Sequence, residues 1–394
     1  MNPDIIWAAG SAVCERLRAS GHQAWLVGGC VRDRLLGRPL KDADVATSAE
    51  PHEVEALFER TIAVGKAFGV IKVLQPPASS LQPPAGAIAV EVASLRADDR
   101  YIDGRRPVAI RRGSLQEDAE RRDLTVNALY ADPDGTITDP VGGLADLHAR
   151  VLRGIGDPAA RLAEDRLRVL RVLRFAAVLD FSVESCTAQA VRATAIDGVA
   201  RERVLDELAK AAAAGAAGAF LRGCAETGHE ADIAPCPEPQ AAATLLDRLG
   251  AAPIEAVLAA WMLHGGADAA AAWTLMQPLP GAARRQIPWL IATAPRLASL
   301  PVAERRRALR RSPEGAWCAA LAAAIDPAGT RDYIAWAALD AEPQPCPVSA
   351  ADLLGLGLRP GPGLGQALRR IEDAWLSGAA TERAALLALA SESR

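Results

Sequence analysis

At 394 residues, half of them apolar, the chain is long enough for two or three domains and for a sizeable core, and it reads as globular. A formal net charge of −4 excludes a uniformly basic surface and leaves any nucleic-acid contact to local basic patches. Seven cysteines without C-x-x-C spacing exclude a zinc knuckle or a redox pair.

In chain order, MNPDIIWAAGSAVCERLRASG carries acids and an amphipathic pattern where a secretory signal would have a charged start and an apolar centre. A helix over 4–20 closed by Gly21 is expected there. No run of about 18 uncharged apolar residues occurs, so the expectation is a cytoplasmic protein without membrane contact. HQAWLVGG predicts a strand running into glycines, CVRDRLLG a two-turn helix closed by Gly37, and KDADVAT a second strand. EPHEVEALFER predicts a helix with an acidic, proline-bearing start. GVIKVLQ and AIAVEVASLR read as strands separated by PPASSLQPPAG, an exposed hairpin extension over 76–86.

RADDRYIDGRRPVAIRRGS reads as a charged loop, and AERRDLTVNALYAD resumes ordered structure before DPVGGLADLHAR. From residue 157 onward helix follows helix, in Ala/Leu/Arg/Glu-rich tracts. Composition shifts near residue 150 and again around 228–240 divide the chain into 1–150, 151–228 and 229–394.

The chemistry concentrates in GGCVRDRLLGRPLKDADVAT, residues 28–47. Asp42 and Asp44, two apart on a strand, project from one face and repel unless positive charge lies between them. Mg²⁺ is typically held by one or two carboxylates plus substrate phosphates, so the pair suits half of a phosphoryl-transfer site. Glu91, among apolar neighbours in IAVEVASLR, is either a third carboxylate or an edge-strand acid facing solvent. Gly28 and Gly29 lie at a strand-to-helix turn where missing Cβ atoms let backbone N–H groups approach an anion, and Arg32 adds a guanidinium suited to phosphate.

At this spacing the stretch resembles the first motif of the nucleotidyltransferase superfamily that includes DNA polymerase beta. Within it, the similarity is to the class II, bacterial-type branch of tRNA CCA-adding enzymes and poly(A) polymerases. EDAERRDLTVNALY (117–130) resembles the second motif, D-x-x-R-R-D-x-x-x-N-A, and DPVGGLADL (139–147) the third. EDRLRVLRVLRFAA (164–177) resembles the fourth and ARERVLDELAK (200–210) the fifth, with Ala200 where a small polar residue is more usual. DLLGLGLRPGPGLGQALRRIEDAWLSG resembles a C-terminal family element, so matching motifs reach from residue 28 to about 378. VGKAFGVIKV (64–73) departs from both the H-G-T pattern of CCA adders and the G-R-R-F pattern of poly(A) polymerases.

The resemblance implies an α+β protein: a polymerase-beta-like head of mixed sheet and helices over 1–150, an all-α neck selecting the nucleotide over 151–228, and a helical body and tail binding tRNA over 229–394. It implies Mg²⁺-dependent addition of CMP and AMP to the tRNA 3′ end, with CTP and ATP as substrates and no obligate protein partner. CC-adding, A-adding and poly(A)-synthesising relatives are the alternatives, with a catalytically inactive RNA-binding relative behind them. Asp42 and Asp44 would hold metal, with Glu91 as a further catalytic carboxylate. Gly28, Gly29, Arg32 and Arg122 would hold nucleotide.

Asp165 and Arg168, three apart on an expected helix, can present an acceptor beside donors, which suits the pairing edges of C and A and opposes U and G. Arg171 and Arg174 continue that stripe toward nucleotide or phosphate. Asp123 and Asn127 are expected to order their loop. YIDGRRP (101–107) resembles the loop that CCA adders use in passing from C to A. For RNA, Arg305, Arg306 and Arg310 in ERRRALRR are candidates, the alternative being a solvated helix face.

Overall fold

The computed structural model describes residues 3–65, 69–75, 87–98, 110–340 and 344–391. The chain divides into two compact units, Met1–Val199 and Ala200–Arg394. The expected Pro-rich hairpin at 76–86 and the loop at 101–107 lie outside the described residues, as do 66–68 of the departing 64–73 segment.

In the first unit, α1 (Pro3–Ala19) buries Ile6, Val13, Cys14 and Leu17. The strands are β1 (Ala24–Val27), β2 (Ala43–Thr47), β3 (Thr61–Gly65), β4 (Val70–Gln75) and β5 (Ile88–Ser94), with two-residue strands β8 (Tyr130–Ala131) and β9 (Ile137–Thr138) at the far edge. Among the described residues they form one mixed sheet in the order β3-β4-β5-β2-β1-β8-β9. β2 and β5 run parallel and every other neighbouring pair antiparallel. Between the strands lie α2 (Gly29–Leu35) and α3 (Pro51–Leu57), the latter opened by a capping box between Glu50 and Glu53.

The stretch read as a charged loop is paired at both ends. β6 (Arg96–Asp98) and β7 (Ile110–Arg112) form an antiparallel ribbon. Charge masked this ribbon because its three-residue strands are too short to show alternation.

α4 (Leu115–Glu120), capped by Ser114 and Glu117, precedes a 3₁₀ turn at Thr125–Asn127. The DPVGGLADL segment then fixes α5 (Gly143–Ala149) by three contacts. Asp139 accepts from the backbone N–H groups of Gly143 (2.8 Å) and Leu144 (2.9 Å), and Asp146 accepts from the Thr125 hydroxyl (2.7 Å). Any Cβ at 143 would fall 2.2 Å from the Thr125 carbonyl oxygen, so only glycine lets these segments meet.

β10 (Val151–Leu152) pairs in parallel with β11 (Ser182–Val183), and α6 (Pro158–Glu164), α7 (Leu167–Leu179) and α8 (Ser185–Ala193) complete the unit. α7 buries Leu167, Val169, Leu170, Val172, Leu173 and Phe175. The expected single helix across 164–177 is instead two. Asp165 is extended (φ −146°, ψ 101°) between α6 and α7.

The second unit is helical, as its composition predicts. Its centre is the fully buried Trp261, whose Nε1–H donates to the Ala234 carbonyl (3.2 Å) and whose ring meets Phe220 at 6.4 Å. At the C-terminal end, Leu353, Ala367, Ile371, Leu386 and Ala390 form a smaller cluster among helices Ala350–Gly355, Pro362–Ser377 and Arg383–Ser391. The GLGLRPGPGLG turn joins the first two of these helices. No helix among the described residues is long and apolar enough to cross a membrane.

Candidate active site

The parallel register sets Asp44 of β2 beside Glu91 of β5, and the antiparallel register sets Glu91 beside Lys72 of β4. Residues directly paired across strands share a face, so a row of charge, negative, negative, positive, crosses three adjacent strands. Lys72 Nζ lies 3.7 Å from a Glu91 carboxylate oxygen. Asp42 is exposed one residue ahead of β2. Burial, then the nearby charges of Asp42 and Glu91, push the Asp44 carboxyl up to about 7, with Arg122 and Lys72 pulling the other way. The two aspartates are therefore close enough to couple. Among the described residues no three His, Cys, Asp or Glu side chains gather tightly enough to close a metal site unaided. A pair that needs substrate oxygens to complete the coordination is what Mg²⁺ commonly uses.

Gly28 ends β1 at φ +75° and caps α2, its N–H donating to the Leu129 carbonyl (3.0 Å). A Cβ built there would lie 3.4 Å from Arg122 Nη1 and 4.0 Å from Asp44 Oδ2. Turn, guanidinium and carboxylate thus meet at one point. Gly29 follows as the first residue of α2, and a Cβ built on it would stand 3.8 Å from Arg32 Nη2.

Arg122 is held from behind. Its Nε and Nη2 donate to Asp118 Oδ2 (3.3 and 3.1 Å), Nε also reaches the Tyr130 hydroxyl (3.3 Å), and Nη1 donates to the Asn127 carbonyl (3.3 Å). Burial alone would raise the Asp118 carboxyl, but Arg122, Arg121 and the Tyr130 hydroxyl outweigh it and hold it below the usual range. Asp118 and Tyr130 had no role in the sequence reading beyond their places in a motif. A tyrosine opening a two-residue strand carries no local signal of what its hydroxyl meets.

A second buried network joins α2 to α7. Asn127 Oδ1 accepts from Arg32 Nη1 (2.5 Å), and Asn127 Nδ2 donates to Asp123 Oδ1 (3.1 Å). Asp123 Oδ2 accepts from Arg171 Nε (2.7 Å). Although Asp123 is buried, Arg171 and Asn127 hold its carboxyl far below the ordinary value. The Phe175 ring has Arg174 at 3.9 Å, Arg32 at 5.0 Å and Arg171 at 5.5 Å. Arg32, expected to reach for phosphate, is only 6% exposed, pairs with Asp33 (2.8 Å) and bridges α2 to α7 through Phe175.

The structure also revises how Asp165 and Arg168 relate. They do not share one helix face. Asp165 Oδ1 accepts from the Leu167 N–H (3.2 Å) at the start of α7. Arg168 Nη1 donates to Glu164 (2.7 Å) and to the Arg161 carbonyl (2.8 Å), and Nη2 to the Arg121 carbonyl (3.1 Å).

Of the RNA-contact candidates, Arg306 and Arg310 both donate to Asp340, which is 3% exposed, at 3.1 and 2.8 Å. Arg306 also donates to the Leu376 carbonyl (3.0 Å), and Arg310 lies over Trp375 at 4.4 Å. Arg305 stacks on Trp336 at 3.8 Å. A run expected on a solvated or RNA-facing helix is thus largely turned inward, because a buried carboxylate 30 to 34 residues away needs counter-charge.

The comparisons with known proteins agree with this architecture. Residues 24–153 match the family model described as the poly A polymerase head domain. The CCA-adding enzyme of Streptococcus suis is 42% identical over 202 residues, half of this chain and 47% of that protein. The CCA-adding enzyme of Anoxybacillus flavithermus is 46% identical over 182 residues, covering 46% of this chain and 43% of its own. The chain thus spans about half the length of the curated relatives it matches.

Among solved structures, the Bacillus stearothermophilus CCA-adding enzyme in complex with CTP is similar at a TM-score of 0.79, with 27% identity over 98% of this chain and 97% of that one. The Thermotoga maritima CCA-adding enzyme complexed with tRNA shares the fold at a TM-score of 0.68 and 17% identity, over 100% of this chain and 96% of that one. The sheet order, the Gly28–Asp44–Arg122 cluster and these matches together mark residues 24–153 as a poly A polymerase head domain, in a chain similar in fold to solved CCA-adding enzymes.

Proposed function

We propose that the chain is a template-independent tRNA nucleotidyltransferase that adds CMP and AMP to the tRNA 3′ end and releases pyrophosphate. The observation that carries this reading is Asp44. It is a coupled, partly buried carboxylate in line with Glu91, set against the bare Gly28 turn and the Arg122 guanidinium. The relatives named as CCA-adding enzymes, one of them solved with CTP and one with tRNA, support the choice of substrates.

Asp42 and Asp44 would hold divalent metal, Mg²⁺ in this reading. The donor set fits: two hard carboxylates whose charges act on one another, with Glu91 already partly balanced by Lys72. Bound metal would supply charge stabilisation for in-line displacement at the α-phosphorus by the terminal ribose hydroxyl. The chain's own residues do the rest. The Gly28 turn leaves room for the nucleotide at the backbone, Arg122 places a fixed cation beside it, and Gly29 continues the opening into α2. Asp165, its orientation set by its bond from the Leu167 N–H, and Arg168, fixed by Glu164, would read the base edge, with Arg171 and Arg174 around Phe175 lining the approach. Residues 1–150 would act as the head, 151–228, which begin in the first unit and end in the second, as the neck, and 229–394 as the body and tail that receive tRNA.

Purified protein incubated with Mg²⁺ and tRNA transcripts ending before CCA, after the first C, after the second C, or complete, each with single nucleotides, tests the reading. Two C additions followed by one A is expected. Runs of A on the complete transcript would reassign the chain to tail synthesis, C alone or A alone would narrow it to a partial adder, and no incorporation at all would overturn the enzymatic reading.

A further inference from the structure

Resting on that reading, we propose that Asp118 and Tyr130 are positioning residues for nucleotide binding, fixing the Arg122 guanidinium against the Gly28 turn. The two oxygens of Asp118 divide their work. Oδ1 accepts from Arg121 Nε (2.8 Å) and Nη2 (2.6 Å). Oδ2 accepts from Arg122 Nε (3.3 Å) and Nη2 (3.1 Å) and from the Tyr130 hydroxyl (2.7 Å). The side chain of Asp118 is 1% exposed, so nothing from solvent competes for those oxygens.

A guanidinium presents its donors in a rigid planar fork, so fixing the Nε–Nη2 edge fixes where Nη1 points. Here it points to the Asn127 carbonyl and the Gly28 turn, beside Asp44. Tyr130 locks the arrangement from a second side. Its hydroxyl lies within reach of both Arg122 Nε and Asp118 Oδ2, and its ring centre is 5.4 Å from the guanidinium carbon. Because Tyr130 is wholly buried and pairs with Val27 in the sheet, the hydroxyl is anchored by the same strand contact that precedes the turn.

A double-mutant cycle tests this with single-nucleotide incorporation on a tRNA transcript ending before CCA, kcat and KM measured separately and the melting temperature recorded. Tyr130→Phe keeps the buried ring and removes only the hydroxyl. We expect KM for the nucleotide to rise about three- to tenfold, the scale of one hydrogen bond, with kcat nearly unchanged. Asp118→Asn should raise KM further. In an Arg122→Lys background, Tyr130→Phe should add little, because the group it orients is gone.

An unchanged KM in Tyr130→Phe, or the same rise in both Arg122 backgrounds, overturns the positioning role, as does a fall in melting temperature with no change in KM. Should Asp118→Asn fail to fold, Tyr130→Phe alone decides. Absence of incorporation by the unaltered chain would overturn the nucleotidyltransferase reading and this inference with it. An active parent with an additive cycle would overturn the inference alone.

Discussion

Asp44 lies two residues beyond Asp42 and one strand over from Glu91, and the sign of its raised pKa can be measured. An ordinary aspartate in the unfolded chain ionises near 3.8, whereas here the carboxyl titrates at about 7. The folded state therefore binds a proton that the unfolded state has lost, and the stability tied to that proton is present below about pH 4 and gone above 7. In chelator, Asp44→Asn should be more stable than the parent at pH 8 by ~1–2 kcal/mol, discounted from the full shift because the carboxyl is only partly buried. The advantage should shrink toward pH 5, and thermal melts across that range measure it. Divalent metal requires the ionised form, so metal affinity should climb with pH up to about 7. The same substitution should cut incorporation at least about a hundredfold, the scale of losing a preorganised electrostatic group. At Gly28, φ +75° and the nearness of Arg122 and Asp44 make alanine costly. Gly28→Ala should lose about 1–3 kcal/mol of stability and raise KM, which a melt and a nucleotide titration would separate.

Between α6 and α7, one residue carries two duties. Asp165 accepts from the Leu167 N–H in a tight turn leading into α7, and in our reading it also meets the base. Asparagine can accept that turn hydrogen bond as aspartate does, whereas alanine loses it, at a cost on the order of 1 kcal/mol. Asp165→Asn should therefore keep the parent's melting temperature while changing discrimination against UTP and GTP, because an amide adds a donor where only acceptors stood. Asp165→Ala should lose both. Unchanged selectivity in both variants would remove this position from base choice.

The break itself was not legible in EDRLRVLRVLRFAA, which holds neither Gly nor Pro and keeps its apolar period. Tertiary bonds impose it: Arg166 Nη1 donates to the Asp197 carbonyl (2.9 Å) and Arg168 to the carbonyls of Arg161 and Arg121. The strand around Asp44, though not its expected start, the Gly-Gly turn and the switch to helices after the sheet were legible because each is a local pattern of period, turn or charge; Asp42 falls one residue ahead of the strand. The partners of Arg32 and Arg122 were not, since Asn127 lies 95 residues from the first and Gly28 meets the second only once the sheet forms.

Across the whole chain, an acidic protein proposed to bind tRNA has to place positive charge where phosphates arrive, and much of the arginine in the second unit is already engaged. Arg222 pairs with Asp247 (2.7 Å), Arg307 with Glu372 (2.8 Å) and with Asp373, Arg383 with Asp352 (2.6 Å), and Arg306 and Arg310 share Asp340. Arg310 is the sharpest case because its two expected roles differ in kind. As a phosphate contact, its loss would weaken tRNA binding and reduce the slope of log affinity against log salt by roughly 0.7–0.9. As the partner of a buried carboxylate, its loss would leave Asp340 short of counter-charge, costing about 3 kcal/mol, less to the extent that Arg306 compensates. The geometry favours the second: the guanidinium donates to Asp340 at 2.8 Å and stacks on Trp375. Arg310→Gln should therefore lower the melting temperature, and tRNA titrations at several salt concentrations below the transition should return the parent's slope. A stable variant with a shallower slope would put Arg310 on the RNA instead.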